Sequence, residues 1–425
     1  MNSLKKQVTL CTIGSVFEWY EFMVFALLTP IISTLFFPHT NHFAAMMSTF
    51  AIFASGYIMR PIGALFFGHL GDTLGRKYTL MITLFLMTGS TFAMGCIPVG
   101  STFSALILLL CRLAQGFSAS GEYPAALTLL AEQSSQKRKG FVTSIAVFGT
   151  GLGCFLGAVL CAIIFKSVGH QAMLNGGWRI PFLLAVPFGI VSYLLRKNIF
   201  ESNEFKKILS KNKILKSPIK TLITQHSKNL MTMLTISILA NVIIYINLIY
   251  ISNYAMSIHK INAIQNSHLY LIATFVYTAS ILFFGFISDY VNKKLFLMVA
   301  CAIILIFTYP VLRLAFDSTV DMQFLAQGIL SLFSGMILGA FPAILSDSFP
   351  TSVRYTGLSV TLNFAGSLFG GTAPFICGWL TQYFNSTQAS AYYIILLAII
   401  AFIAIILRVD VKREIYFENS AAKLI

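Results

Sequence analysis

Two glutamates, Glu18 and Glu21, stand three residues apart inside the apolar run "SVFEWYEFMV". Arg60 interrupts a second apolar run, and Arg112 and Glu122 interrupt a further one. A charge at the centre of a bilayer costs about 2.5–3.5 kcal/mol on insertion scales, so each of these residues needs a task. Residues three apart on a helix share nearly one face. Two acids placed so, in a low dielectric, suit loading a proton near neutral pH; the plainer reading is an ion pair with Arg60 or Arg112. An arginine stays charged and presents a planar fork, so Arg112 suits a carboxylate substrate held bidentately or the biasing of a neighbouring acid. Gly116, one turn on, lets another helix come close. Glu122 suits a proton relay or a pair with a basic residue, and Tyr123 beside it suits the same site or simple packing.

Neutral polar groups follow later in the chain. In "NVIIYINLIYISNY", Asn247, Tyr250 and Tyr254 fall on one helical face, with Asn241 and Tyr245 on another. Hydroxyl-bearing aromatic faces suit small ammonium or carboxylate solutes, although Tyr254 equally fits an interfacial belt. Asn363 and "FGGTAP" supply a polar group and a break at Gly370, Gly371 and Pro374. Asp72, Arg76 and Lys77 lie in a short turn made tight by Gly68 and Gly75. An aspartate there can accept hydrogen bonds from a facing helix N-terminus or pair with an arginine, latching two bundles together.

These residues must be positioned by membrane helices. The chain has 425 residues, of which 57% are hydrophobic and 10% charged, and a soluble protein carries about a quarter charged residues. Twelve apolar stretches reach the length of about 20 residues that a spanning helix needs, centred near residues 22, 55, 88, 116, 153, 187, 242, 278, 304, 334, 367 and 399. The net charge of +15 does not point to nucleic acid, because its basic residues crowd into the segments of one side. The opposite side holds only Lys166, Arg179, Lys260 and Arg313, which is the positive-inside pattern with both termini cytoplasmic. The seven cysteines sit in apolar segments without metal or redox spacing and read as small hydrophobes. The basic start "MNSLKKQVTL" is expected to lead into a retained first helix, since Glu18 and Glu21 break any signal-peptide core.

Internal repetition divides the chain. "GHLGDTLGRKYTL" (Gly68 to Leu80) returns as "GFISDYVNKKLFL" (Gly285 to Leu297), so Asp72, Arg76 and Lys77 answer Asp289, Lys293 and Lys294. "GEYPA" from Gly121 returns as "GAFPA" from Gly339 at nearly the same offset, and Glu132, Arg138 and Gly140 answer Asp347, Arg354 and Gly357. The expected fold is an all-α integral membrane protein of two homologous six-helix bundles, residues 1–198 and 229–425, joined by a basic cytoplasmic linker at 199–228. Two homologous halves are the build of many secondary transporters, with the transport site at their interface.

"GHLGDTLGRK" resembles the signature of the major facilitator superfamily, in which this loop aspartate gates cytoplasmic opening. Thr73 departs from the family's usual basic residue, and Asn292 replaces the glycine in the second copy. "GSVFEWYEF", "RPIGALFFGHLGDTLGRK", "RLAQGFSASGEYPAALTLLAE", "FPTSVRYTG" and "NFAGSLFGGTAPFI" are together similar to the metabolite:proton symporter family, which includes carriers for proline and betaine, 2-oxoglutarate, citrate and shikimate. The resemblance implies uptake coupled to proton entry across a bacterial inner membrane. It also implies a first helix whose second acid is normally Asp, where this chain has Glu21, and a seventh helix whose tyrosines face the cavity.

The expected function is thus proton-coupled uptake of a small charged or zwitterionic metabolite by alternating access. The expected partners are that solute, a proton and the bilayer, with a monomeric chain and neither cofactor, metal nor nucleic acid. Exporters of the same superfamily carry a proline-bearing antiporter motif on the fifth helix, and no proline stands between Gly149 and Cys161. The glycines of "GTGLGCFLG" lack a GK[ST] ending and read as helix packing rather than a phosphate loop. An enzyme or receptor would need a catalytic constellation or an appended domain, and none stands in the sequence. The last residues, "DVKREIYFENSAAKLI", show no heptads, so osmotic activation through a coiled coil is not expected.

Overall fold

The computed structural model describes residues 2–38, 42–100, 103–211, 213–252, 263–317 and 319–408. Among these residues twelve helices are long and apolar enough to cross a membrane: α1 (Leu4–Leu27), α2 (Ala44–Thr73), α3 (Arg76–Cys96), α4 (Ser104–Gln133), α5 (Gln136–Gly177), α6 (Arg179–Arg196), α7 (Ser227–Ile251), α8 (Leu269–Ile287), α9 (Lys293–Phe316), α10 (Val320–Asp347), α11 (Arg354–Phe384) and α12 (Ala389–Leu407). No strand occurs among the described residues. Their outer faces carry bare apolar side chains, such as Ile58, Phe85, Phe275, Phe375 and Leu407, which only a hydrocarbon solvent accommodates.

The chain packs into two units. The first comprises residues 1–134, 145–219 and 351–371. Within it α4 lies along α2 and α3, α1 packs on α4 and α6, and the start of α11 lies against α2 and α4. Its apolar core gathers Tyr20, Phe25, Trp178 and Phe182, and the Tyr20 hydroxyl donates to the Pro181 carbonyl at 2.8 Å. Gly116 and Gly56 bring α4 against α2: a Cβ on Gly116 would lie 2.0 Å from the Gly56 carbonyl oxygen.

The second unit comprises residues 135–144, 220–350 and 372–425. There α10 is the central element, with 83% of its most apolar window buried against 33% for α8 and α12. It packs on α7, α8 and α9, while α12 covers α7 and α9. Neither unit is a simple half of the sequence. The first turns of α5 belong to the second unit, and the first half of α11 belongs to the first.

Three helices widen locally, α5 among them at Met173–Gly177. Ile246–Ile251 in α7 and Ala365–Gly370 in α11 form wide π-type turns, and Gly371 N–H reaches back to the Gly366 carbonyl at 3.0 Å. Such turns leave backbone groups less tightly tied and cluster at functional positions. In α11 the wide turn precedes Pro374, which lies at the start of the following segment Ala373–Tyr383. Between α6 and α7 the linker folds into two short helices, Asn203–Ser210 and Pro218–Gln225.

Candidate functional site

Glu18, Glu21, Arg60, Arg112 and Glu122 are all buried within the first unit. Arg112 on α4 is fully enclosed. It donates through Nη1 to Gln115 Oε1 and to the Phe22 carbonyl at 3.4 Å, and through Nε to the Phe53 carbonyl at 3.5 Å. Its guanidinium carbon lies over the rings of Phe22, Phe53 and Phe25 at 4.0, 4.5 and 5.1 Å. Among the described residues it pairs with no carboxylate, and its buried Nη2 has no acceptor. Arg60 on α2 lies over Phe22, Tyr57 and Trp19 at 4.6, 4.9 and 5.6 Å, its Nε unpartnered; it forms no ion pair among the described residues, though Glu18 is within electrostatic reach. Trp19 Nε1 is a third buried donor without an acceptor. One phenyl ring, that of Phe22, thus carries two guanidinium groups.

The two acids differ in their surroundings. Glu21 is clasped by α3: Thr88 Oγ1 donates to Oε1 at 3.1 Å and Thr91 Oγ1 to Oε2 at 3.0 Å. Glu18 Oε2 is buried without any donor. The ion pair of either acid with Arg60 or Arg112 is not formed among the described residues. Glu122 instead pairs with Arg196, at the last turn of α6. Arg196 also donates to the Leu80 carbonyl at 3.0 Å and lies against Gly14, where a Cβ would meet its Nη2 at 2.1 Å. Arg196 stands three residues before the expected linker, at the polar end of an apolar run, and it is buried among α1, α3 and α4. The available signal was a glutamate at similar depth on α4 in need of a cation. Tyr123 is half-buried and within electrostatic reach of Glu18.

The neutral residues are tied into packing. Asn247 donates to the Gln327 carbonyl at 3.1 Å and to Ser331 Oγ at 2.9 Å, fastening α7 to α10. The Tyr250 hydroxyl lies 2.7 Å from Thr381 Oγ1, and its ring meets Phe316 edge-on at 6.0 Å. Both side chains are buried and make these contacts within the second unit, where the resemblance implied a cavity face for Tyr250. Tyr254 lies outside the described residues. Asn363 donates to the Ser120 carbonyl at 2.8 Å and holds α11 to α4.

The duplicated turns make duplicated contacts. Asp72 accepts from the backbone N–H of Tyr355 at 3.2 Å and of Thr356 at 2.8 Å, and from Thr356 Oγ1 at 2.8 Å, while pairing with Arg76 at 3.2 Å. These are the free donors at the N-terminus of α11. The helices approach so closely that a Cβ on Gly68 would lie 3.0 Å from Thr356 Cα, and one on Gly71 would lie 1.7 Å from the Tyr355 ring. Gly75 turns the chain with φ 108°, a conformation that favours glycine. Arg76 is fully buried, donating to Glu132 Oε1 at 2.9 Å and to the carbonyls of Gly71 and Thr351, both at 2.8 Å. Arg354 reaches the same Glu132 oxygen at 3.2 Å and pairs with Glu204 of the linker. The Lys77 N–H donates to Glu201 at 3.1 Å.

In the second unit Asp289 accepts from the N–H groups of Gly140 at 2.7 Å and Phe141 at 2.9 Å, at the start of α5. The partly buried ion pair at that corner joins Lys139 to Asp347. Arg138, the counterpart of Arg354 by offset, is exposed in the turn Gln136–Arg138. Lys293 is half-buried within electrostatic reach of Asp289 and Asp347, and Lys294 Nζ donates to the Ile406 carbonyl at 3.2 Å.

Twelve membrane-length helices with ionisable side chains deep among them are the build of a multi-pass membrane carrier. The chain belongs to the Major Facilitator Superfamily, whose family model matches residues 15–371. It is 30% identical over 418 residues to the proline/betaine transporter of Salmonella typhimurium, covering 95% of this chain and 83% of that one. It is also 30% identical over 414 residues to the glycine betaine/proline/ectoine/pipecolic acid transporter of Dickeya dadantii, covering 93% and 81%. Among solved structures, a double-tryptophan mutant of the xylose transporter XylE has a TM-score of 0.81 at 15% identity over 95% of both chains. A D-xylose–proton symporter structure has a TM-score of 0.68 at 17% identity over 95% and 97%. At such identities the likeness concerns the fold.

Proposed function

We propose that this chain is a proton-coupled importer of a small zwitterionic carboxylate, of the kind represented by proline and betaine. It is a carrier rather than an enzyme and works by alternating access as a monomer in a bacterial inner membrane, with both termini cytoplasmic. Its two homologous halves are residues 1–198 and 229–425, joined by the linker 199–228. The observation that carries the reading is the pair of buried guanidinium groups, Arg112 and Arg60, that lie over aromatic rings and form no ion pair among the described residues. A buried cation with no anion in contact is expensive, so a site that keeps two of them suits an anionic group from a ligand. The surrounding rings of Trp19, Phe22, Phe53 and Tyr57 suit the ammonium end of the same solute. The relatives that carry proline and betaine support this substrate class. Glu18 and Glu21 beside them serve the proton, and the contacts of Asp72 and Asp289 serve as gate latches.

The test is uptake into proteoliposomes of proline, glycine betaine, 2-oxoglutarate, citrate and shikimate under an imposed proton gradient. Proline or glycine betaine is expected to accumulate, and a protonophore to abolish accumulation. Uptake of a panel member that ignored the gradient would overturn proton coupling. Exclusive uptake of the dicarboxylate or tricarboxylate would overturn the zwitterion.

A further inference from the structure

A chain of hydrogen bonds runs from Arg112 to Glu21 through two buried side chains that neither the twofold repeat nor the latches involve. Arg112 Nη1 on α4 donates to Gln115 Oε1. Gln115 Nε2 then donates to Thr91 Oγ1 on α3 at 2.8 Å and to the Glu21 carbonyl on α1 at 3.1 Å. Thr91 Oγ1 lies 3.0 Å from Glu21 Oε2 and 2.9 Å from the Met87 carbonyl. Gln115 and Thr91 are fully enclosed.

The donor inventory makes this arrangement two-valued. A threonine hydroxyl has one proton to give and lone pairs to receive. The Gln115 amide occupies one lone pair of Thr91, so the single hydroxyl proton goes either to Glu21 Oε2 or to the Met87 carbonyl. An ionised Glu21 only accepts and takes that proton's hydrogen bond. A protonated Glu21 becomes a donor to Thr91, whose own proton then turns to Met87. Which state is favoured depends on where Gln115 aims its amide N–H, and Arg112 holds that amide by its oxygen.

We propose that Gln115 is a positioning residue that couples occupation of Arg112 by a substrate carboxylate to protonation of Glu21, acting through Thr91. The proposal rests on the function given above. With Arg112 unoccupied, its hold on Gln115 Oε1 keeps the amide N–H on Thr91 and the Thr91 proton on an ionised Glu21. A substrate carboxylate competes with Gln115 Oε1 for the guanidinium. Once Gln115 is released, its N–H no longer polarises the Thr91 hydroxyl, the Thr91 O–H becomes a weaker donor to the carboxylate, and the acid takes one proton from the medium as an O–H bond at Oε2. No other bond forms or breaks. The remaining groups that face Glu21 are Glu18 and Tyr20 on its own helix, Glu122 on α4 and Arg196 on α6, while α3 presents the hydroxyls of Thr88 and Thr91. Apart from the Thr91 hydroxyl, which Thr91→Val removes on purpose, these groups are left intact in the variants below.

The experiment measures the Kd of purified protein for glycine betaine and proline across pH. Binding coupled to protonation makes the wild-type Kd rise with pH, by about tenfold for coupling of ordinary size. Gln115→Leu and the near-isosteric Thr91→Val are expected to flatten that rise to within about twofold, and Thr91→Ser, which keeps the hydroxyl, to restore it. A purely structural role would change Kd by the same factor at every pH. A full pH-dependent rise in Thr91→Val, or in Gln115→Leu, overturns the relay, and Thr91→Val decides alone if the Gln115 variant does not reach the membrane. Wild type that binds neither solute overturns the proposed substrate class instead, and the relay with it.

Discussion

Replacing Glu122 by Gln removes the anion from a fully buried pair and leaves Arg196 charged among α1, α3 and α4. Breaking such a pair by removing one partner costs about 3–5 kcal/mol, because the remaining charge is uncompensated. Glu122→Gln should therefore lower the thermal stability of the purified protein, and Glu122→Gln combined with Arg196→Gln should recover part of the loss. A double variant no more stable than the single would show the pair to be irrelevant to folding. The depth of Glu18, Glu21, Arg112 and Glu122 was legible in the sequence, because a charge in an apolar run has few explanations. Their partners were not legible. Glu21 meets threonines and Glu122 meets an arginine beyond the last apolar residue of its helix, and both facts depend on how far α3 and α6 slide along α1 and α4. No spacing within one helix encodes that offset.

Between elements, the two copies of the helix 2–3 turn differ in what surrounds an identical aspartate. Asp72 caps α11 and pairs with a buried arginine that also holds Glu132, whereas Asp289 caps α5 with lysines nearby. Arginine's rigid fork binds several acceptors at once and lysine's point charge does not. Asp72→Asn is thus expected to reduce uptake turnover several-fold more than Asp289→Asn, with solute Kd little changed in both. Equal losses would mean that only the helix-capping bonds matter. The motif and its repeat were plain in the sequence. The contribution of the linker was not: Glu201, Ser202, Glu204 and Phe205 looked like a solvated basic run. In the fold Ser202 caps its short helix and bonds Glu132, Phe205 is buried under Arg76, and Glu204 pairs with Arg354. An eight-residue helix offers too little periodicity to announce such a role.

At the scale of the molecule, the deep charges of the first unit balance: Glu18, Glu21 and Glu122 against Arg60, Arg112 and Arg196. A zwitterion adds no net charge to that balance, and the proton adds one. With a zwitterion as solute, each cycle then carries one positive charge inward, and a membrane potential acts on it with about 2.3 kcal/mol per 100 mV. A potassium diffusion potential of that size, inside negative and without a pH difference, is expected to drive up to about fiftyfold accumulation of proline or glycine betaine in proteoliposomes. Absence of accumulation would rule out net charge movement.

The placement of residues 351–371 in the first unit also sets a timetable for biogenesis. Arg354, Tyr355 and Thr356 complete the surroundings of Asp72, Glu132 and Glu204, yet the ribosome makes them long after Ile219. At ordinary synthesis rates that interval is on the order of ten seconds. Throughout it the nascent first unit holds buried acids and the bare groove of α2 and α4 without the segment that closes them. A chain truncated before Thr351 should remain in that immature condition, exposed to membrane proteases and dependent on whatever holds the insertion site.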